Sequence, residues 1–195
     1  WHWGMRMSNN DVCKDFFMQY LNYLDSNSEL VVRCVYMRME DENLLKSTLY
    51  GMHNRNVDAF VALVLRNGTL PYLLMDGDRL IGFAWYDAFA AKSCIGHVVF
   101  FKEAWGNARQ FGKQVYRQLL SYSDGMGHLF DCVMGLTPIN NPLAWRGAVA
   151  CGASKIGVIP KALFDAESGE SIDAVLTCCA ACKNDPPKRQ MSRQK

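Results

Sequence analysis

The sequence predicts an α+β domain, a mixed and mainly antiparallel sheet layered with helices. Three observations lead there. An apolar run broken by Asp76-Gly77-Asp78 reads as a hairpin, which forces antiparallel pairing. Strand-like and helix-like segments alternate through the second half of the chain. Within it, Ser93–Gly152 reads as strand, glycine-bearing turn, helix, strand and an asparagine-capped helix.

Taken in order, Asp11–Leu24 places Val12, Phe16, Tyr20 and Leu24 at fourth-residue spacing beside Cys13, Phe17 and Leu21. This is the pattern of an amphipathic helix, with Asn9 or Asn10 as its cap. Leu30–Met39 (LVVRCVYMRM) is β-branched and alternating, and reads as a strand. Helices are expected over Glu42–Met52 and Asn56–Arg66. Leu70–Met75 and Arg79–Asp87 form the hairpin arms, the second extending toward Ala91. The strand Ser93–Lys102 precedes a turn, GNARQFGK, that opens a helix reaching about Tyr122. A strand over Leu129–Leu136 leads to Asn141-Pro142, the N-cap and first residue of a helix ending at Gly152. Ser154–Pro160 and Ile172–Thr177 close the sheet around the polar loop DAESGES.

With half of its 195 residues apolar and 21% charged, the chain is globular rather than disordered, and long enough for one domain with a sizeable core. Polar residues interrupt every apolar stretch before membrane-spanning length, and no secretory segment is evident. A cytoplasmic protein without membrane contact is therefore expected. Its first residue is Trp1, and Met5 or Met7 is the alternative natural start. Cys13, Cys34, Cys94, Cys132 and Cys151 sit within apolar patterns and read as reduced, small hydrophobic residues. Cys178, Cys179 and Cys182 cluster, but no second pair or nearby histidine completes four zinc ligands, so no metal is expected. Lys183, Lys188, Arg189, Arg193 and Lys195 against Asp185 give a basic tail of +4 over residues 183–195, leaving the body at −2. Without aromatic interleaving, and beside an acidic body, that tail argues only weakly for nucleic acid.

A strand whose following turn opens a helix is a ready anion site, because first-turn amides lack intrahelical partners. In the central segment Asn141, Ala144 and Gly152 follow one another at spacings of three and eight, and Arg109-Gln110-Phe111-Gly112-Lys113-Gln114 stands at the opening of a helix. Through these residues and the order of elements, the chain from about Leu30 to Thr177 resembles the GCN5-related N-acetyltransferases (GNAT). In that family the asparagine spacing continues with a tyrosine where this chain has Ala148, and an aromatic where it has Ala153. The phosphate-binding turn ends on a small residue where this chain has Gln114. The combination also resembles GNAT-like proteins of tailed phages and prophages.

The resemblance implies a GNAT-like domain over residues 8–180, acetyl-coenzyme A as co-substrate, and a small-molecule or peptide amine as acceptor. It implies that Arg109, Gln110, Phe111, Gly112, Lys113 and Gln114 cradle the diphosphate and that Asn141 borders the site. The backbone of Val99, Phe100 and Phe101 would orient the thioester in a gap beside the Ser93–Lys102 strand. His97, mid-strand, and Glu103, just beyond it, are the candidate bases; a backbone-bonded core histidine and a surface ion pair with Lys102 are their alternatives. Asp87 reads as a substrate-amine contact or a turn residue, and Trp85 and Trp105 as an acceptor pocket or core. The missing tyrosine keeps a second class open, a non-catalytic, virion-associated binding protein of the same fold.

Overall fold

A computed structural model describes residues 15–123, 127–181 and 189–190. Its main sheet has seven strands in the order β1-β2-β3-β4-β6-β8-β7. These are β1 (Phe16–Tyr20), β2 (Leu70–Asp76), β3 (Arg79–Ala90), β4 (Ser93–Phe100), β6 (Cys132–Pro138), β7 (Ser154–Asp165) and β8 (Glu170–Ala180). All neighbours pair antiparallel except β4 and β6, which run parallel. A two-strand parallel pair joins β5 (Tyr122–Ser123) to β9 (Arg189–Gln190). The rest of the basic tail, Cys13 and Cys182 lie outside the described residues.

Helices cover both faces. On one, α1 (Ser26–Asp41) and α3 (Val57–Val64) bury Val32, Val35, Phe60 and Val64 against Phe83, Trp85 and Val99. The short α2 (Leu45–Thr48) connects them. On the other, α4 (Ala108–Leu120) presses Phe111, Val115 and Leu119 onto Tyr72, Tyr86, Cys94 and Val133. The last helix, α5 (Pro142–Ala150), begins at Asn141, whose Oδ1 accepts the amide of Ala144 at 3.3 Å, with Pro142 at the first position as expected.

Two expected elements are exchanged. Leu30–Met39 is not a strand but the body of α1, and Phe16–Tyr20, expected as helix, is β1. In α1 the buried residues Val32, Val35, Tyr36 and Met39 fall on one helical stripe, and the Asp25 carboxylate accepts the Asn27 amide at 2.9 Å. Packing and capping outweigh the few tenths of a kcal/mol by which β-branched residues disfavour helix. In β1 the run FFMQY pairs with β2 from Phe16↔Asp76 to Tyr20↔Tyr72, and buries Met18 between exposed neighbours. The helix expected over Glu42–Met52 is reduced to the four residues of α2. The Asp76–Asp78 hairpin forms as expected, with Gly77 at φ 59°.

Arg38 ties α1 to the segment after β4. Its guanidinium stacks 4.0 Å over the Phe101 ring, donates to the Leu80 carbonyl at 2.8 Å, and pairs with Glu42 and Glu103 at 3.0 Å each. This clasp fixes the end of β4, and with it one edge of the gap described next.

Candidate active site

The parallel pair β4–β6 is made only at Ser93↔Cys132, Cys94↔Val133 and Ile95↔Met134. Beyond Ile95 the two strands part. The register of β3 and β4 shows which backbone groups this leaves free. The Phe101 amide donates to Ile81 at 2.9 Å, and Phe83↔Val99 and Trp85↔His97 continue the same set of pairs. In an antiparallel ladder, successive residues point their polar groups to opposite sides. Phe101, Val99 and His97 therefore turn theirs toward β3, and Gly96, Val98 and Phe100 turn theirs toward β6. There the last pair, Ile95↔Met134, takes up the Gly96 amide and leaves the Gly96 carbonyl and the groups of Val98 and Phe100 in the gap. The expectation that Val99 and Phe101 orient a thioester by their amides is corrected here: those donors are spent inside the sheet. Phe100 remains, although its carbonyl already accepts the Trp105 indole at 3.0 Å.

The gap opens into a cavity of about 500 Å³ that passes from one face of the sheet to the other. On the α4–α5 side its wall joins the small residues Gly112, Ala144, Gly147, Ala148 and Cys151 to the larger Val115, Tyr116 and Leu143. On the opposite side it meets His97 with the hydroxyl residues Ser47, Thr48 and Tyr50 around α2. Tyr50 reaches across to β6 and donates to the Leu136 carbonyl at 3.1 Å. Nothing in the pattern of the weakly helical α2 signalled these three residues.

Of the residues expected at the diphosphate turn, Arg109 and Gly112 reach the cavity wall, as does Asn141 at α5. The segment is not a turn: a 3₁₀ helix over Lys102–Asn107 runs directly into α4, so Arg109–Gln114 lies within the first turns of the helix. Phe111 is buried against Phe16 and Phe100, and Gln110, Lys113 and Gln114 are absent from the cavity wall. Gln114 therefore does not plug the mouth. Arg109 stands at the rim with its Nε donating to the Ala150 carbonyl at 3.1 Å.

Gly112 has a packing role that sequence reasoning missed. A Cβ there would lie 2.3 Å from the Cys151 Sγ, so its absence is what lets α4 approach the end of α5. Gly112→Ala is expected to cost about 1–3 kcal/mol, and Gly112→Ala/Cys151→Ala to recover most of it, both read from denaturant melts. Burial raises the Cys151 thiol above its ordinary range despite Lys113 and Arg109 nearby. The cysteine on this wall is thus held protonated, a poor nucleophile.

Glu103 is corrected as a base. It pairs with Arg38 at 3.0 Å, not with Lys102, and does not line the cavity. His97 does line it. Its ring stacks on Trp85, with centroids 4.6 Å apart and planes 6° from parallel. Asp87, expected as an amine contact or turn residue, instead sets an oxygen 3.3 Å from His97 Nε2 and accepts the Arg66 guanidinium at 3.0 Å. The hydrogen bond with His97 chiefly, and the charge of Arg66, hold the Asp87 carboxyl below its usual range against desolvation. Trp105 borders the cavity at the end of β4.

No family model matches the chain, and no curated protein is significantly similar to it in sequence. Solved structures are similar in fold. Spermidine N-acetyltransferase from Vibrio cholerae, solved with coenzyme A and spermine, superposes with a TM-score of 0.61 at 14% identity, over 86% of this chain and 96% of that one. The microcin C7 self-immunity acetyltransferase MccE, solved with acetyl-coenzyme A and AMP, gives 0.64 at 14% identity, over 87% and 94%. The ribosomal-protein-S5-alanine acetyltransferase from Vibrio fischeri gives 0.62 at 14% identity, over 89% and 97%. The seven-strand sheet parted between β4 and β6, with helices on both faces, is the fold of the GCN5-related N-acetyltransferases.

Proposed function

We propose that the protein transfers an acyl group, acetyl in the first instance, from coenzyme A to an amine. The observation that carries this reading is the parting of β4 from β6 after Ile95↔Met134, which leaves a strand edge facing a cavity lined on one side by several small residues. A strand edge of this kind can pair with an extended ligand that carries amide groups, as in strand addition. The structural neighbours solved with coenzyme A or acetyl-coenzyme A support the same reading.

Acetyl-coenzyme A would supply the activated carbonyl and a thiol leaving group. The Gly96 carbonyl and the backbone of Val98 hold the amide-bearing arm, and the small residues Gly147 and Ala148 leave room for it. Arg109, at the rim, gives the diphosphate a charge-assisted contact. The acceptor enters from the α2 side between Ser47, Thr48 and Tyr50, where His97 takes a proton from the attacking amine. Direct attack fits a site whose cysteine is kept as a thiol. The acceptor is a small-molecule or peptide amine; spermine in one neighbour's complex supports the amine class. The six cysteines among the described residues, all free, fit a reducing, cytoplasmic setting, and a phage-carrying bacterium as host belongs to the same proposal. Among the described residues no helix is long and apolar enough to cross a membrane.

Thermal melting with and without acetyl-coenzyme A tests the proposal. Ligand at a hundredfold excess over its dissociation constant adds about 2.7 kcal/mol, which raises Tm by roughly 5–11 °C in a domain of this size. An unchanged Tm at millimolar ligand rejects it. Binding without release of free thiol toward any amine selects the second reading, a non-catalytic binding protein, which Ala148 in the tyrosine position favours.

A further inference from the structure

The geometry points to Asp87 as a positioning residue that fixes the tautomer of His97 and so decides which ring nitrogen is free to act as base. This rests on the acyl-transfer reading above and goes beyond it by assigning the proton-bearing atom. Asp87 and His97 lie on the adjacent strands β3 and β4, where the register pairs Trp85 with His97 and Asp87 with Ile95. A bulge follows at once, between Asp87 and Ala90, with Ala88 at φ 49°. A non-glycine residue in that region is strained, and bulges re-aim the side chains beside them. The side chain beside this one is the carboxylate aimed at His97.

An ionised carboxylate only accepts hydrogen bonds, and Asp87 is kept ionised by its two partners. The nitrogen at 3.3 Å, Nε2, must therefore carry the hydrogen and donate to Oδ1. Nδ1 is then the unprotonated nitrogen of the neutral ring. Trp85, stacked 4.6 Å away, fixes the ring plane, so His97 keeps a set orientation at the cavity wall. In the reaction Nδ1 takes one proton from the amine as the C–N bond forms. The same proton goes to the thiolate that leaves with the C–S electron pair, and neutral imidazole is restored. While the ring is charged, the Asp87 carboxylate offsets it.

Arg66 makes the assignment testable. Its guanidinium, a donor only, holds Asp87 Oδ2 at 3.0 Å. In Asp87→Asn the amide oxygen must face Arg66, which turns the NH₂ group toward Nε2 and forces the hydrogen onto Nδ1. Nitrogen NMR of the free protein should show neutral His97 protonated at Nε2, and at Nδ1 in Asp87→Asn. In a thiol-release assay Asp87→Asn should lower kcat by about 10²–10⁴-fold, with KM for acetyl-coenzyme A within about twofold. Arg66→Ala/Asp87→Asn frees the amide to turn over and should regain at least about tenfold of kcat, a recovery that mere structural damage would not give. A wild-type ring protonated at Nδ1, or an Asp87→Asn protein with unchanged tautomer and kcat, overturns the assignment while leaving acyl transfer intact. Failure of acetyl-coenzyme A to bind overturns the acyl-transfer reading, and this role with it. Should Asp87→Asn not fold, the tautomer of the wild-type ring still decides.

Discussion

Replacing His97 by glutamine is expected to lower kcat for acyl transfer by about 10²–10⁴-fold, the usual contribution of a positioned base, while acetyl-coenzyme A binds within about twofold of wild type. The expectation follows from where the side chain lies. His97 borders the cavity on the α2 side, whereas the strand edge at Gly96 and Val98 that would hold the acyl carrier is backbone. Glutamine keeps a donor for Asp87 and comparable bulk, so the fold should melt within a few degrees of wild type. Thiol release measured against amine concentration, together with calorimetric titration of acetyl-coenzyme A, checks both halves. Equal losses in binding and turnover would place His97 in the carrier's own contacts instead.

The second large effect is expected at Gly147. Nothing lies within 4 Å of the place a Cβ would occupy there, and the residue lines the cavity on α5. Gly147→Trp adds an indole on the wall of the space that the proposal assigns to the ligand, at a position whose Cβ meets no protein atom. Acetyl-coenzyme A affinity should fall by at least about a hundredfold, equivalent to about 2.7 kcal/mol. The unliganded melting temperature should hold or rise, because alanine-like backbones at helix positions gain over glycine. The contrast with Gly112 is instructive. That glycine faces the Cys151 sulfur, so enlarging it strains the protein before it affects any ligand.

How much of this was legible in the sequence depends on whether the signal was local. The β2–β3 hairpin was, because Asp-Gly at a tight turn and the flanking apolar runs are chemistry within a few residues. So was the Asn141-Pro142 start of α5. In β1 and α1 the apolar spacings fit both periods. What separated them was the Asp25 cap and the stripe of buried residues that α3 and the sheet cover, the latter visible only once the fold is formed. The gap between β4 and β6 was inferred through resemblance. Which amides face it was not, because alternation must be anchored by one known bond, here Phe101 to Ile81. His97 was readable as a polar residue amid a strand. Its partner was not: Asp87 lies ten positions away, and meets His97 only through the register and the bulge at Ala88. Glu103 misled because its position beside the strand end suits a base equally well as a partner for Arg38, which comes from a helix that the sequence had suggested was a strand.

The most direct measurement is amide hydrogen exchange at Val98 and Phe100 with and without acetyl-coenzyme A. If the parted edge of β4 receives the carrier, the exchange of these two amides should slow by at least about tenfold on saturation, while Gly96, Val99 and Phe101, already bonded within the sheet, change little. Saturating ligand that leaves Val98 and Phe100 exchanging as in the free protein would contradict the account.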